Sequence, residues 1–295
     1  MDKIIRCITK DGGIIASAID STQIVATAQQ VHKLSPIATA ALGRLLTGAS
    51  LMGNQMKQKK AVLSMRVDGK GELGVLIASA TSDGNVRGFV QNPNCKTEYY
   101  PDGKLNVGKA VGKNGYLYVV RDYGTGQPYK GVVQLVSGEI AEDITSYYAN
   151  SEQIPTVCAL GVLVEKGSGK TMLAGGVLIQ LLPGATMQTA VKLENNIKKL
   201  EPVTTMMAKG MSLVDMCKTA LDGFEVEVLD ERPVHFYCTC SKDRVKQSFA
   251  TISDNDLRNL VNSKGKVEAV CHYCNKKYTF TKSEIENFIA SRKKQ

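Results

Sequence analysis

No run in the 295-residue chain approaches the roughly 18 consecutive apolar residues that a membrane-spanning helix needs, so no such helix is expected. The opening segment, MDKIIRCITKDGG, lacks an uninterrupted apolar h-region and a small-residue cleavage site. That predicts a cytoplasmic protein whose thiols are reduced by default. Internal repeats and low-complexity tracts are absent too, which leaves an ordinary globular protein. Signatures of catalysis are equally scarce. There is no Gly-x-Ser-x-Gly elbow and no nucleophile and base at a recognisable spacing. EKGSGKT, Glu165 to Thr171, ends like a phosphate loop, but the first glycine would fall on Val164 and the segment lies between two strands, so it reads as a hairpin turn. The sequence therefore predicts a protein that is not an enzyme.

Hydrophobic residues at 43% and charged residues at 22% suit one large domain, or two with a connector. KIIRCIT and GIIASAI flank the turn KDGG, and AVLSMRV, GVLIASA and VRGFV are separated by glycine-containing turns, which predicts hairpins and an antiparallel meander. Ser35 and Pro36 form an N-cap and first turn for a helix whose Ile37, Ala41, Leu45, Leu46, Ala49 and Met52 share a face. A further hairpin spans YLYVVRDYGTGQPYKGVVQL, a helix runs through EIAEDITSYYANSE, and strands TVCALGVLVE and MLAGGVLIQLL follow. The resulting class is α+β: a large N-terminal α/β core domain with antiparallel sheets over 1–183, a helical Met-rich linker over 184–232, and a small C-terminal metal-binding domain over 233–295.

Pro183 and Gly184 open the linker, with helical stretches predicted from Met187 to Leu200 and Thr204 to Leu221. It holds Met187, Met206, Met207, Met211 and Met216, five of the ten methionines. Flexible, polarizable methionine suits a surface that accepts many partners, and equally suits plain packing of a helical hairpin on the main domain. Beyond it, SDNDLRNLVNSKG carries a helix from Ser253 to a stop at Gly265. KVEAV and KKYTF read as strands, and TKSEIENFIASRKK starts with Thr281 and Glu284 as a capping box.

Of eight cysteines, Cys7, Cys95, Cys158 and Cys217 stand alone among apolar neighbours and read as core or surface thiols with no partner in sequence. Cys238 and Cys240 (C-x-C) and Cys271 and Cys274 (C-x-x-C) form two tight pairs, the pattern of a zinc site. Four thiolates complete a tetrahedral shell and leave no position for water or substrate, so the site is structural, and His235 and His272 are bystanders. A domain of about 60 residues has little core, so the metal would supply much of its stability. Lys242, Arg244, Lys246, Lys276 and Lys277 lie near the pairs in sequence and would favour thiolate. Under oxidation a C-x-x-C turn brings its sulfurs together easily, whereas a C-x-C pair on an extended strand sits near the limit of about 7 Å between Cα atoms and needs local unfolding.

The motifs ATAALGRLLTGASLMGNQMK, DGKGELG, GNVRGFVQNP, YKGVVQLVSGEIAEDITSYYANSEQIPT, AGGVLIQLLPGA, CTCSKDR and CHYC, in this order over nearly the whole chain, resemble the bacterial redox-regulated holdase chaperones of the thirty-three-kilodalton heat-shock class. The resemblance implies that reduced protein holds one Zn2+ through Cys238, Cys240, Cys271 and Cys274 and is inactive. It implies further that hypochlorite, or peroxide with heat, forms the disulfides Cys238 to Cys240 and Cys271 to Cys274 and releases the metal. The linker then unfolds, often with homodimer formation, and exposes surface that binds unfolded client proteins without ATP. Many members of the class are acidic, whereas this chain carries a net charge of +9.

That charge keeps a second reading open, a zinc ribbon docking on nucleic acid through a C-terminal segment with 12 Lys and Arg against 6 Asp and Glu from Pro233 onward. The aromatic platform usual for single strands is missing, since several of Phe236, Tyr237, Phe249, Tyr273, Tyr278, Phe280 and Phe288 alternate as core residues do. A thiol oxidoreductase built on Cys271 and Cys274 lacks a thioredoxin-like strand and helix around the pair.

Overall fold

A computed structural model of the chain describes residues 1–292. They fall into two compact units, one ending at Tyr237 and the other beginning at Cys238. Along the first unit run β1 (Lys3–Thr9), β2 (Ile14–Asp20), α1 (Thr22–His32), α2 (Pro36–Asn54), β3 (Val62–Asp68), β4 (Val75–Thr81), β5 (Val86–Val90), α3 (Val107–Val111), β6 (Tyr116–Asp122) and β7 (Tyr129–Gln134). They are followed by α4 (Ala141–Tyr147), β8 (Thr156–Val164), β9 (Thr171–Leu181), α5 (Met187–Ile197), α6 (Val203–Ala208), α7 (Leu213–Ala220) and β10 (Val226–Pro233). The second unit contains α8 (Lys242–Ser248), α9 (Asp254–Asn259), β11 (Lys266–Val270), β12 (Lys277–Thr281) and α10 (Lys282–Arg292).

Two five-stranded antiparallel sheets, ordered β10-β1-β2-β9-β8 and β5-β4-β3-β6-β7, organise the first unit. The α+β class with antiparallel sheets is therefore the one that the alternating runs predict. Helix α2 packs against strands of both sheets. Ser35 Oγ accepts from the Ala38 amide and Pro36 fills the first turn, as the sequence implies. Its burial extends well beyond the expected face, taking in Leu42, Gly43, Thr47, Ser50 and Gly53 as well. A Cβ on Gly53 would stand 2.8 Å from the Thr81 carbonyl oxygen, so only glycine lets α2 approach β4 this closely. The EKGSGKT segment is the turn between β8 and β9, with the Glu165 amide donating to the Lys170 carbonyl.

Helix α1 has no counterpart in the sequence reading. Its N-cap Ser21 makes no side-chain cap; instead the buried Asp2 carboxylate, just ahead of β1, accepts from the amides of Gln23 (2.9 Å) and Ile24 (2.6 Å). An anion thus caps the helix from a distant point in the chain.

The linker lies against the first sheet. Leu193, Val203, Met206, Leu213, Met216 and Cys217 share one core with Ile5, Cys7, Ile14, Ala16, Ala18, Val177 and Ile179. The stretch read as one helix from Thr204 to Leu221 is two, because Gly210 at φ 77° turns the chain and Ser212 starts α7 by accepting from the Asp215 amide. Nor is the linker wholly helical. Val226 to Pro233 form β10, which pairs antiparallel with β1 from Thr9↔Val226 to Lys3↔Pro233 and is tied to it by the Arg6–Asp230 ion pair. In the second unit the helix predicted from Ser253 to Gly265 stops at Asn259, while α10 begins with the expected capping box, the Thr281 amide donating to Glu284 at 2.8 Å. Lys293 and Lys294, placed in that helix by the sequence, lie outside the described residues.

Candidate metal centre

The second unit brings the two cysteine pairs together. Strands β11 and β12 form a hairpin with Val267 opposite Phe280 and Val270 opposite Lys277. Its turn is the C-x-x-C segment: the Cys271 amide donates to the Lys276 carbonyl at 3.0 Å, and the Asn275 amide to the Cys271 carbonyl at 2.8 Å. Asn275 at φ 55° takes the left-handed position that its short polar side chain tolerates.

Cys238 and Cys240 arrive from irregular backbone rather than from the strand that the sequence reading assumes. There is a local reason. Ser241 Oγ accepts from the Arg244 amide and starts α8 directly after the pair, and Arg244 turns back to donate to the Thr239 carbonyl at 3.2 Å. The C-x-C segment is held by its own following helix instead of a neighbouring strand.

The four Sγ atoms lie within 4.8 Å of one another, with Cys238 to Cys271 at 3.8 Å and Cys240 to Cys274 at 3.4 Å. A tetrahedral site with metal–sulfur bonds of about 2.3 Å has sulfur–sulfur edges of about 3.8 Å. The thiols thus fit a closed metal site, and the cluster contains no histidine. His235 belongs to the first unit, where its amide donates to Asn85 Oδ1. No disulfide joins any described cysteine.

One donor to the sulfurs escaped the sequence reading. Tyr278 Oη donates to Cys240 Sγ at 3.1 Å. Burial pushes the Cys240 thiol up, but hydrogen bonds from Tyr278 and the neighbouring thiols outweigh it and hold the group down to about 7. Cys271 and Cys274 are shifted upward, by burial first. Of the cations expected to favour thiolate, Lys242 pairs with Glu284 at 2.7 Å, Lys246 lies over Phe288 and Lys276 over Tyr278. Around this site sits a small core of Phe249, Leu257, Val267, Tyr278, Phe280, Ile285 and Ile289. Phe249, Tyr278 and Phe280 are consequently packed inside and offer no stacking face.

The five linker methionines do not form one surface. Met206 and Met216 are buried, Met207 and Met211 are half-buried against the same core, and Met187 is 80% exposed. Beside the linker a groove of about 780 Å³ is lined by Leu160, Val162, Leu163, Pro202 and Val203, between β8 and the start of α6.

The family model described as Hsp33 protein matches residues 2–281. The chain belongs to the Hsp33 family. Among its relatives, the 33 kDa chaperonin of Clostridioides difficile (strain 630) is 42% identical over 284 residues, covering 96% of this Hsp33 chain and 97% of that protein. The 33 kDa chaperonin of Acetivibrio thermocellus is 41% identical over 288 residues, covering 98% and 97%. The crystal structure of the 33 kDa chaperonin from Thermotoga maritima, a heat shock protein 33 homologue, superposes with a TM-score of 0.90 at 31% identity and 99% coverage of both chains. This Hsp33 chain is thus similar throughout to proteins named as chaperonins. No described helix in it is long and apolar enough to cross a membrane.

Proposed function

We propose that this Hsp33 chain is a redox-regulated, ATP-independent holdase of the cytoplasm, inactive while reduced and metal-loaded. The observation that carries the reading is the gathering of four thiols within 4.8 Å in a unit with a small core of its own. Cys238, Cys240, Cys271 and Cys274 are the ligands of one Zn2+, as an all-sulfur tetrahedral donor set favours. Bound zinc supplies folding free energy on the order of 10 to 16 kcal/mol. Net stabilities of whole domains are only about 5 to 15 kcal/mol. The four thiolates of the second unit therefore hold its fold together, and their oxidation removes that support.

Oxidation pairs Cys271 with Cys274 and Cys238 with Cys240. Each pair of ligand thiolates gives two electrons to hydrogen peroxide, which takes two protons from solvent and leaves as two waters while the metal is released. The C-x-x-C turn closes readily. The C-x-C pair is held by the Ser241 cap and the Arg244 contact, and heat loosens these first.

Activation then frees the linker. Leu193, Val203, Met206, Leu213 and Met216, now packed on the first sheet, become apolar surface for unfolded clients, with Met187, Met207 and Met211 beside them. Exposure of such surface also favours a homodimer of the oxidised chain. The activity is binding rather than catalysis.

The test joins metal content to activity. Reduced protein should carry zinc and fail to suppress aggregation of a heat-unfolded client, while peroxide at elevated temperature should release zinc and turn suppression on. Equal suppression in both states rejects the proposal. Salt-dependent binding of RNA or DNA by reduced protein would instead support the nucleic-acid reading.

A further inference from the structure

Two thiols of the first unit share the core beneath the linker. Cys7 on β1 is 0% exposed and Cys217 on α7 is 1% exposed, and both belong to the core between the linker helices and the first sheet. Cys217 shares the inward stripe of α7 with Leu213, Met216 and Ala220, and Cys7 lies two residues beyond Ile5, on the same face of β1. In sequence each stands alone among apolar neighbours, with about 210 residues between them.

We propose that Cys7 and Cys217 form a second redox site, a buried dithiol that closes to a disulfide and clamps α7 to β1. Both side chains lie within one buried core, where α7 packs against β1. Interaction between the two thiols lowers Cys7 and raises Cys217, and Lys218 also favours thiolate at Cys7. Cys7 is accordingly the attacking sulfur. With hydrogen peroxide as oxidant, Cys7 thiolate takes one oxygen to become a sulfenic acid and the other oxygen leaves as hydroxide, which a proton converts to water. Cys217 then attacks Cys7 sulfur, and the sulfenic oxygen leaves as a second water. Two thiols and one peroxide yield one disulfide and two waters. The oxidant enters through brief openings of α7, a helix of only 8 residues.

A bridge closing so long a loop restricts the unfolded chain strongly. It also fastens the linker to the sheet in its packed position. If the linker opens as proposed above, the clamp opposes that opening, so oxidation at this site and at the four-thiol site have opposite effects. This regulatory half rests on the holdase reading; the disulfide itself does not.

The experiment treats full-length, zinc-loaded protein with hydrogen peroxide at graded temperatures, blocks remaining thiols with N-ethylmaleimide in denaturant, and maps non-reduced peptides by mass spectrometry. A peptide joining Cys7 to Cys217 should appear and vanish with dithiothreitol. The bridged protein should melt higher by about 5 °C, with no rise in C7A or C217A. Recovery of both residues alkylated, under conditions that fully oxidise Cys271 and Cys274, overturns the site; a linked peptide without a Tm rise overturns the clamp. In a client-aggregation assay C7A should need less oxidant for activation than wild type, and an equal requirement overturns the regulatory half. If neither protein suppresses aggregation under any condition, the holdase reading and its regulation fail together, while the linked peptide and Tm shift are read without a client.

Discussion

Tyr278 Oη donates to Cys240 Sγ at 3.1 Å, which makes a β12 side chain the partner of a thiol more than 30 residues earlier. Donors behind a metal ligand fix its orientation, and removing one commonly lowers metal affinity about 10- to 100-fold. Tyr278→Phe keeps the ring in the core and deletes only the hydroxyl. Competition with a chromogenic chelator should show zinc affinity reduced within that range, with far-UV circular dichroism unchanged at saturating zinc. Unaltered affinity would make the contact incidental.

Metal removal should act on one unit alone. The residues from Cys238 onward have only a small core, whereas the first unit has two large ones. Chelation of reduced protein should abolish hydrogen-exchange protection in β11, β12 and α10 while β3, β4 and β6 keep theirs. Loss of protection throughout would show that the first unit depends on the metal as well.

Arg6 and Asp230 join β1 to β10, and the hydrogen bond from Arg6 holds the Asp230 carboxyl below its ordinary range. A carboxylate depressed by folding adds stability above its unfolded pKa of about 3.9, and that contribution disappears as pH falls through the lower folded value. Asp230→Asn should therefore lower stability by about 1 kcal/mol at pH 7, with the gap to wild type closing below about pH 4. Urea denaturation at the two pH values measures this. A gap independent of pH would assign the loss to packing.

Gly53→Ala tests how tightly α2 is seated. The new Cβ would meet the Thr81 backbone oxygen at 2.8 Å, and backbone gives way less easily than a side-chain end. The expected loss is about 1 to 3 kcal/mol by thermal or urea denaturation, despite the better helix propensity of alanine. A stabilised variant would mean that β4 can move aside.

Legibility in the sequence followed locality. The metal site announces itself because its ligands come as two short motifs, and β1 to β7 because hairpin turns and alternating strands are signals within about 20 residues. What escaped depends on distant partners. Helix α1 is rich in β-branched Thr22, Ile24, Val25 and Thr27, and its cap comes from Asp2 across the fold. Strand β10, VEVLDERP, is an edge strand with mostly exposed residues, so it lacks the apolar alternation that marks a strand until β1 pairs with it. Tyr278 looked like one core aromatic among several, and only the fold sets its hydroxyl beside sulfur. The shared core position of Cys7 and Cys217 is invisible for the same reason.

The pairing of β1 with β10 also sets a timetable for synthesis. Strand β1 leaves the ribosome well before residues 226–233, and until they follow, that edge of its sheet is uncovered. At about 5 to 20 residues per second, the interval is roughly 10 to 45 s, during which a nascent edge stays open to wrong partners. A chain read here as a guardian of other unfolding proteins is thus itself exposed to misassembly for most of its own translation.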